Sequence, residues 1–197
     1  MQIDFSPIDD KTMQMLEFSA NYTVDELRAV TNTSIDHLLA LISDLDDADV
    51  VFDPVDPEAS DSFAVEGEER IGWSIAHMIA HVTASSEEGA AFASILARGI
   101  DYASDLRLRY ETPWRDITTQ TQCVQRLEES RRMRLGYLAT FPDVPHTQTR
   151  RQLSERYLER FGNMNANAAF LFGLYHEVGH YAQLEAVKQQ ALAGKTR

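Results

Sequence analysis

The chain has 197 residues, of which 44% are hydrophobic, and its formal net charge is −13 at pH 7. This length predicts a single domain over residues 1–197 that is large enough to bury a hydrophobic core. The negative charge repels phosphate backbones and argues against nucleic-acid binding, while no apolar run approaches the roughly 18 residues that a membrane span requires.

The first predicted elements in chain order are an N-terminal arm, a long helix and a long loop. Residues 1–20 are expected to form the arm, with one brief helix around residues 13–18. The helix begins at Thr23, whose hydroxyl can cap it while Glu26 reaches back to the backbone. Its apolar side chains recur at near-helical spacing at Leu27, Val30, Ile35, Leu38, Ile42 and Leu45. Residues 47–70 are acidic, contain two prolines and are predicted to be a loop.

Three further long helices are predicted from the same kind of spacing. The second helix spans about 73–98, the third starts at a capping position near Thr119 and reaches about 141, and the fourth spans about 165–193. No alternating pattern typical of strands appears in the chain. The prediction is therefore an all-α fold, a four-helix bundle whose long connections permit crossovers.

Charge is distributed unevenly along the chain. Residues 1–70 carry 18 acidic and 3 basic side chains, whereas residues 98–160 carry 12 arginines and 9 acidic side chains. The acidic and the arginine-rich segment can pair within one fold or across a homodimer, and the sequence leaves both alternatives open. Arg131, Arg132 and Arg134 are predicted to form a solvated helix face, with an anionic ligand as the alternative.

The N-terminus has no secretory pattern, and the chain contains a single cysteine, Cys123. A lone cysteine excludes an internal disulfide framework and fits a reducing compartment, so we expect a cytoplasmic protein. Cys123 lies on an amphipathic helix, where a cysteine is most often a small packed residue rather than a nucleophile.

Four of the six histidines form two pairs with i, i+4 spacing: His77 with His81, and His176 with His180. Residues four apart share a helix face, so each pair can direct two imidazoles at one point, and neutral imidazole binds zinc, nickel, copper and iron. We predict a metal site on His176 and His180 with a third ligand from His81 or His77. Three protein nitrogens plus water is the open arrangement of a catalytic zinc site. The alternative is that these are core histidines bonded to backbone carbonyls.

The segment from His176 to His180 also matches the zincin signature, in which Glu177 would be the general base of a metallopeptidase. Zincins take their third metal ligand from a position downstream of this motif. Only 17 residues follow His180, and none is a histidine. A peptidase is therefore the third hypothesis.

The two histidine segments together resemble the DinB-like (damage-inducible) superfamily of helical-bundle metalloproteins. Residues 72–81, Gly-Trp-Ser-Ile-Ala-His-Met-Ile-Ala-His, are similar to its Trp-Ser opening, with the ligand histidine eight residues after the tryptophan at His81. Residues 176–183, His-Glu-Val-Gly-His-Tyr-Ala-Gln, are similar to its His-xxx-His-xx-Gln motif. The chain departs from the commonest pattern in having Tyr-Ala before the glutamine and an additional histidine at position 77.

The resemblance implies a four-helix bundle in up-down-down-up order and a divalent metal, usually zinc or nickel, on His81, His176 and His180. Gln183 and His77 are then expected to orient the ligands rather than bind the metal. Gln183 can alternatively be a polar residue bonded to backbone or water, and His77 also stays open as a substitute ligand or a buried residue. Related members are thiol S-transferases or isomerases that use low-molecular-weight bacterial thiols, and many members have no established activity.

The leading hypothesis is a metal-dependent enzyme that transfers a small thiol or hydrolyses a small-molecule substrate. A divalent cation held by three neutral histidines acidifies a bound water or thiol, and a thiolate is the nucleophile that such a transfer requires. The alternative is a metal-binding bundle without catalysis that serves in stress response, metal storage or partner binding.

Overall fold

The computed structural model describes residues 3–57, 59, 66–102 and 107–194, and all regular secondary structure in these ranges is helical. This confirms the predicted all-α class. The helices are α1 (Ser6–Asp9), α2 (Met15–Ser19), α3 (Val24–Leu41), α4 (Asp47–Val50), α5 (Ile75–Ala97), α6 (Gln120–Leu138), α7 (Glu155–Phe161), α8 (Ala166–Gly179) and α9 (Tyr181–Gly194), with one 3₁₀ turn at Trp114–Asp116.

Three long helices begin at the residues that cap them. Thr23 and Thr119 each form a reciprocal capping box with the side chain three positions further on, at the starts of α3 and α6. At the start of α5, the Ser74 hydroxyl accepts a hydrogen bond of 3.2 Å from the backbone N–H of His77. These bonds satisfy backbone donors that have no partner inside the helix.

The predicted fourth helix is in fact two helices, α8 and α9, that meet at His180. The backbone N–H of His180 donates to the Glu177 carbonyl three residues back, at 3.1 Å. Such a bond tightens the chain relative to an α-helix. The apolar spacing continues through the break, which is why it did not reveal an interruption of one residue.

Short helices occupy segments for which the sequence indicated less order. The arm contains α1 and α2 instead of one brief helix, and α7 lies in a connection for which no helix was predicted. The predicted loop 47–70 begins with α4, because the Asp46 side chain accepts hydrogen bonds from the backbone N–H groups of Ala48 and Asp49. None of the helices in the described ranges has the length and hydropathy needed to cross a bilayer.

Helix α5 is almost completely buried and packs against α6 and α8, and α3 also packs against α6 and α8. Two glycines allow α5 and α8 to approach closely. A Cβ atom on Gly89 would lie 2.8 Å from the Ala169 carbonyl oxygen, and one on Gly173 would lie 2.9 Å from Ser86 Cα. Because the backbones are this close, side chains on the facing sides of the two helices can contact one another.

Acidic side chains from the first part of the chain pair with arginines from the second part within the fold. Arg131 Nη2 lies 2.7 Å from Asp36 Oδ1, and Arg115 Nη2 lies 2.6 Å from Glu68 Oε1. The uneven charge distribution is therefore partly compensated inside one chain.

Candidate metal centre

Three histidines from α5, α8 and the junction between α8 and α9 converge on one point. One ring nitrogen each of His81, His176 and His180 lies within 4.8 Å of the others, and this group can hold a divalent metal ion. His81 Nε2 and His176 Nε2 are 3.3 Å apart. The backbone break at His180 places its imidazole beside both of these rings, with ring centroids 5.3 Å from His81 and 4.8 Å from His176.

The histidine rings differ in how the surrounding protein holds them. His180 Nδ1 lies 2.8 Å from Gln183 Oε1, so Gln183 accepts the Nδ1 proton and leaves Nε2 as the nitrogen with a free lone pair. His176 Nδ1 is buried and has no hydrogen-bond partner among the described residues. His176 is therefore not a core histidine that a backbone carbonyl satisfies within this part of the chain.

The ring of His81 is held by two residues that the sequence did not single out. Glu111 Oε2 lies 3.3 Å from His81 Nδ1 and would accept an Nδ1 proton. Arg109 Nη2 lies closer to the same nitrogen, at 2.9 Å, and since a guanidinium only donates, this contact uses Nδ1 as an acceptor. The arginine also lies 3.1 Å from the His81 carbonyl oxygen and bonds to Glu111 and to the Ser85 hydroxyl. Both residues lie in the connection after α5, which carries no motif, so no sequence signal placed them near His81.

His77 does not join the three-histidine group. It is buried between two indoles, with the Trp114 ring stacked 4.6 Å away at an interplanar angle of 9° and the Trp73 ring 4.6 Å away. Trp73 also contacts the rings of His81 and His180, at 4.5 and 5.8 Å. The structure thus brings together His81 rather than His77 with the C-terminal pair, and Trp73 covers one side of the cluster.

The surroundings favour neutral imidazoles at His176 and His180 and an ionised carboxylate at Glu111. Burial lowers the pKa of His176 to about 3, and the neighbouring rings of His180 and His81 add to this effect. Burial also lowers the pKa of His180, against the opposing hydrogen bond with Gln183. Burial opposes ionisation of Glu111, but hydrogen bonds with His81 and Arg109 outweigh it and lower the pKa of this carboxyl to about 2. Neutral imidazole is the form that binds a metal.

A cavity of about 460 Å³ adjoins the cluster. This volume is in the range of small-molecule sites in proteins. Its wall includes two of the three histidines, three arginines and two glutamates: His81, His176, Arg107, Arg109, Arg151, Glu88 and Glu111.

The comparisons with known proteins agree with this geometry. The sequence profile of the DinB superfamily matches residues 31–184, which is most of the chain and includes all three converging histidines and Gln183. The chain belongs to the DinB superfamily. No curated protein and no solved structure matches it.

In this DinB-superfamily chain, Glu177 points into the core rather than toward the histidines. Its side chain is completely buried and pairs with the equally buried Arg134 at 2.6 Å. Glu177 also accepts hydrogen bonds from the Ser34 and Ser86 hydroxyls, and from the Tyr181 hydroxyl at 3.1 Å. A carboxylate with all these partners cannot activate a water at the cluster, so the zincin hypothesis has no structural support.

The same pair corrects the interpretation of the arginine cluster on α6. Arg132 is exposed as predicted and Arg131 is partly buried, but Arg134 is completely buried. The prediction of a solvated face was therefore wrong for Arg134, because its partner Glu177 comes from a helix distant in sequence.

Cys123 is buried in the core and is a free thiol. Burial raises the pKa of this thiol to about 12, and the nearby Asp47 carboxylate adds to the shift. A thiol in this state is protonated at neutral pH and is a poor nucleophile. Its surroundings agree with the predicted packing role.

Proposed function

We propose that the protein is a metal-dependent enzyme that binds a divalent ion, zinc or nickel, on His81, His176 and His180 and transfers a low-molecular-weight thiol. Hydrolysis of a small-molecule substrate is the second reaction that the same centre can support. The observation that carries the proposal is the convergence of three imidazoles beside a cavity of about 460 Å³.

Two of the three nitrogens have the spacing of ligands on such an ion, and all three lie within 4.8 Å of one another. Two nitrogens at 2.0–2.1 Å from one tetrahedral zinc ion are about 3.3 Å apart, and His81 Nε2 and His176 Nε2 are separated by 3.3 Å. Three imidazoles without a fourth protein ligand are typical of catalytic rather than structural zinc sites, and no carboxylate or thiolate of the described residues joins the group. This favours an enzyme over a metal-binding bundle without catalysis.

The surrounding residues would keep the ligands in the form that binds the ion. Gln183 accepts the Nδ1 proton of His180, so this ring presents Nε2. His81 would present Nε2 once its Nδ1 proton is held by Glu111, 3.3 Å away, in place of the contact between Nδ1 and Arg109. Arg109 in turn holds the Glu111 carboxylate. When bound, a divalent ion would supply the positive charge that lowers the pKa of a coordinated thiol or water.

We further propose the architecture that accompanies this function. Helices α3, α5, α6 and the α8–α9 pair would form a four-helix bundle in up-down-down-up order within a single domain, in a cytoplasmic protein that forms a homodimer. Light scattering on the purified protein tests the dimer.

Metal analysis of the purified protein tests the centre. We expect about one equivalent of divalent metal in the wild type, and a large loss in the His81→Ala, His176→Ala and His180→Ala variants. His77→Ala and His146→Ala are the matched controls and should retain the metal, since His77 stacks between indoles and His146 is exposed. A wild type that takes up no divalent metal would refute the proposal. If His77→Ala loses the metal while His81→Ala keeps it, the third ligand is His77 and not His81.

Thiol chemistry is tested on protein in which cobalt replaces the native ion. Addition of cysteine should produce a thiolate-to-cobalt absorption band, and cysteine should react faster with 1-chloro-2,4-dinitrobenzene in the presence of the protein. If the band forms but the reaction of cysteine is not accelerated, the proposal of thiol binding stands and the proposal of transferase activity is refuted.

A further inference from the structure

The cavity beside the histidine cluster is positively charged, although the chain as a whole is strongly acidic. Arg107, Arg109 and Arg151 line it together with Glu88 and Glu111, so one positive side chain is in excess. Two of the arginines are already neutralised. Arg107 forms two hydrogen bonds with Glu88, at 3.2 and 2.7 Å, and Arg109 pairs with Glu111.

Arg151 is the arginine that remains available. Its nearest carboxylate oxygen, Glu88 Oε2, is 4.0 Å away, beyond hydrogen-bonding distance. Its guanidinium donates no hydrogen bond to any part of the chain that the structure describes, while its side chain is only 13% exposed. A mostly buried guanidinium at the wall of a cavity has N–H donors that a ligand in the cavity can use.

The position of Arg151 is also fixed. Its backbone N–H donates to the Met164 carbonyl at 2.9 Å, and its guanidinium lies 3.9 Å above the centre of the Phe92 ring. A guanidinium stacked on an aromatic ring loses little freedom when it binds a ligand. Arg151 is therefore fixed at the wall of the cavity that His81 and His176 also line, and is not a flexible surface side chain.

We infer that this cavity binds a small molecule through its carboxylate group, with Arg151 as the anchoring residue. As a statement about the substrate, this rests on the proposed function, since the same cavity opens on His81 and His176. Arg151 donates hydrogen bonds to the carboxylate oxygens and leaves the rest of the molecule in the cavity next to the histidine cluster.

The charge of the wall favours a carboxylate over a phosphate ester. A carboxylate brings a single negative charge, which the one excess arginine compensates. A phosphate monoester brings about −1.5 to −2 charges and three acceptor oxygens, which would require Arg107 and Arg109 to leave their glutamates.

Calorimetric titration of the metal-loaded protein with 3-mercaptopropionate and with its methyl ester tests this inference, because the two probes share one thiol and differ in the carboxylate. We expect the acid to bind at least about tenfold more tightly than the ester, as for a charge-assisted hydrogen bond to a buried partner. The preference should fall to near unity in Arg151→Gln and be partly kept in Arg151→Lys. Arg156→Gln, on the exposed side of α7, is the matched control and should behave as wild type.

Three outcomes would overturn the inference: an equal affinity for acid and ester in the wild type, a preference that persists in Arg151→Gln, or displacement of the acid by inorganic phosphate at lower concentration than by propionate. Circular dichroism of each variant shows that its fold is intact, with or without metal. The two proposals fail separately. If the protein takes up no metal, the proposed function fails, yet the metal-free protein should still prefer the acid through Arg151. If metal binds and the preference is absent, only the present inference fails.

Discussion

Replacing Glu177 with glutamine removes one charge from the buried ion pair and leaves the other charge in place. Both side chains of the pair are completely buried, with Arg134 Nη2 2.6 Å from Glu177 Oε2. Breaking a buried pair on one side costs about 3–5 kcal/mol, because the remaining charge is uncompensated. For a chain of this size, each kcal/mol corresponds to a change in Tm of about 2–4 °C, so we expect Glu177→Gln to lower Tm by roughly 6–20 °C.

Urea unfolding followed by circular dichroism, at pH 7 and a fixed metal concentration, measures this loss. Glu159→Gln is the matched control, since Glu159 is exposed on α7 and its replacement should change stability by less than about 0.5 kcal/mol. Combining Glu177→Leu with Arg134→Met removes both charges and should recover much of the stability.

Two results would contradict this reasoning. A loss below about 1 kcal/mol in Glu177→Gln would mean that Arg134 is not an uncompensated buried charge in the variant. A variant with wild-type stability and no activity would mean that Glu177 acts as a base at the metal, as in a zincin.

Three further predictions concern packing, ionisation and the histidine cluster. Gly173→Ala should lower stability by about 1–3 kcal/mol and weaken metal binding, because the added Cβ would collide with the α5 backbone. The control Gly136→Ala, in open space within α6, should instead raise stability by up to about 1 kcal/mol. Urea unfolding measures both changes. Burial raises the pKa of Cys123 from 9.0 to about 12, so its thiolate forms at a lower pH in the unfolded chain than in the folded one. Stability should therefore fall as pH rises from about 9 to 12. Relative to Cys123→Ala, the wild type should lose about 1.4 kcal/mol between pH 8 and pH 10, and equal pH profiles would show that the thiol is not buried. Glu111→Gln should weaken metal affinity by about 10–100-fold in a chelator competition, because a glutamine is a poorer acceptor for the Nδ1 proton of His81; unchanged affinity would exclude this role.

Features that depend on neighbours in sequence were predicted well. The caps at Thr23 and Thr119 lie where the sequence placed them, because a capping box joins groups only three residues apart. The convergence of His176 and His180 was expected for the same reason, since residues four apart share a face. Gln183 is close enough in sequence to His180 that its position followed from the motif.

Features that depend on two distant segments were not predicted, or were predicted incorrectly. Arg134 was assigned to a solvated face because its partner Glu177 lies 43 positions away. The contact of Arg109 with His81 joins residues separated by 28 positions, and nothing in the local sequence distinguishes Arg109 from other arginines in the same region.

Helical periodicity, caps and i, i+4 spacing are local properties, so the amino-acid sequence alone predicts an all-helical chain with two histidine pairs. Its motifs resemble the superfamily that the profile match confirms and favour His81 as the third histidine. Spacing alone left His77 open, and the folded chain shows that His81 faces the C-terminal pair, that Glu177 is directed into the core and that Arg151 lines the cavity. For the histidines, the cause is the close approach of α5 and α8 at Gly89 and Gly173. That contact sets which faces of the two helices meet, and it depends on the packing of residues that are far apart in the chain.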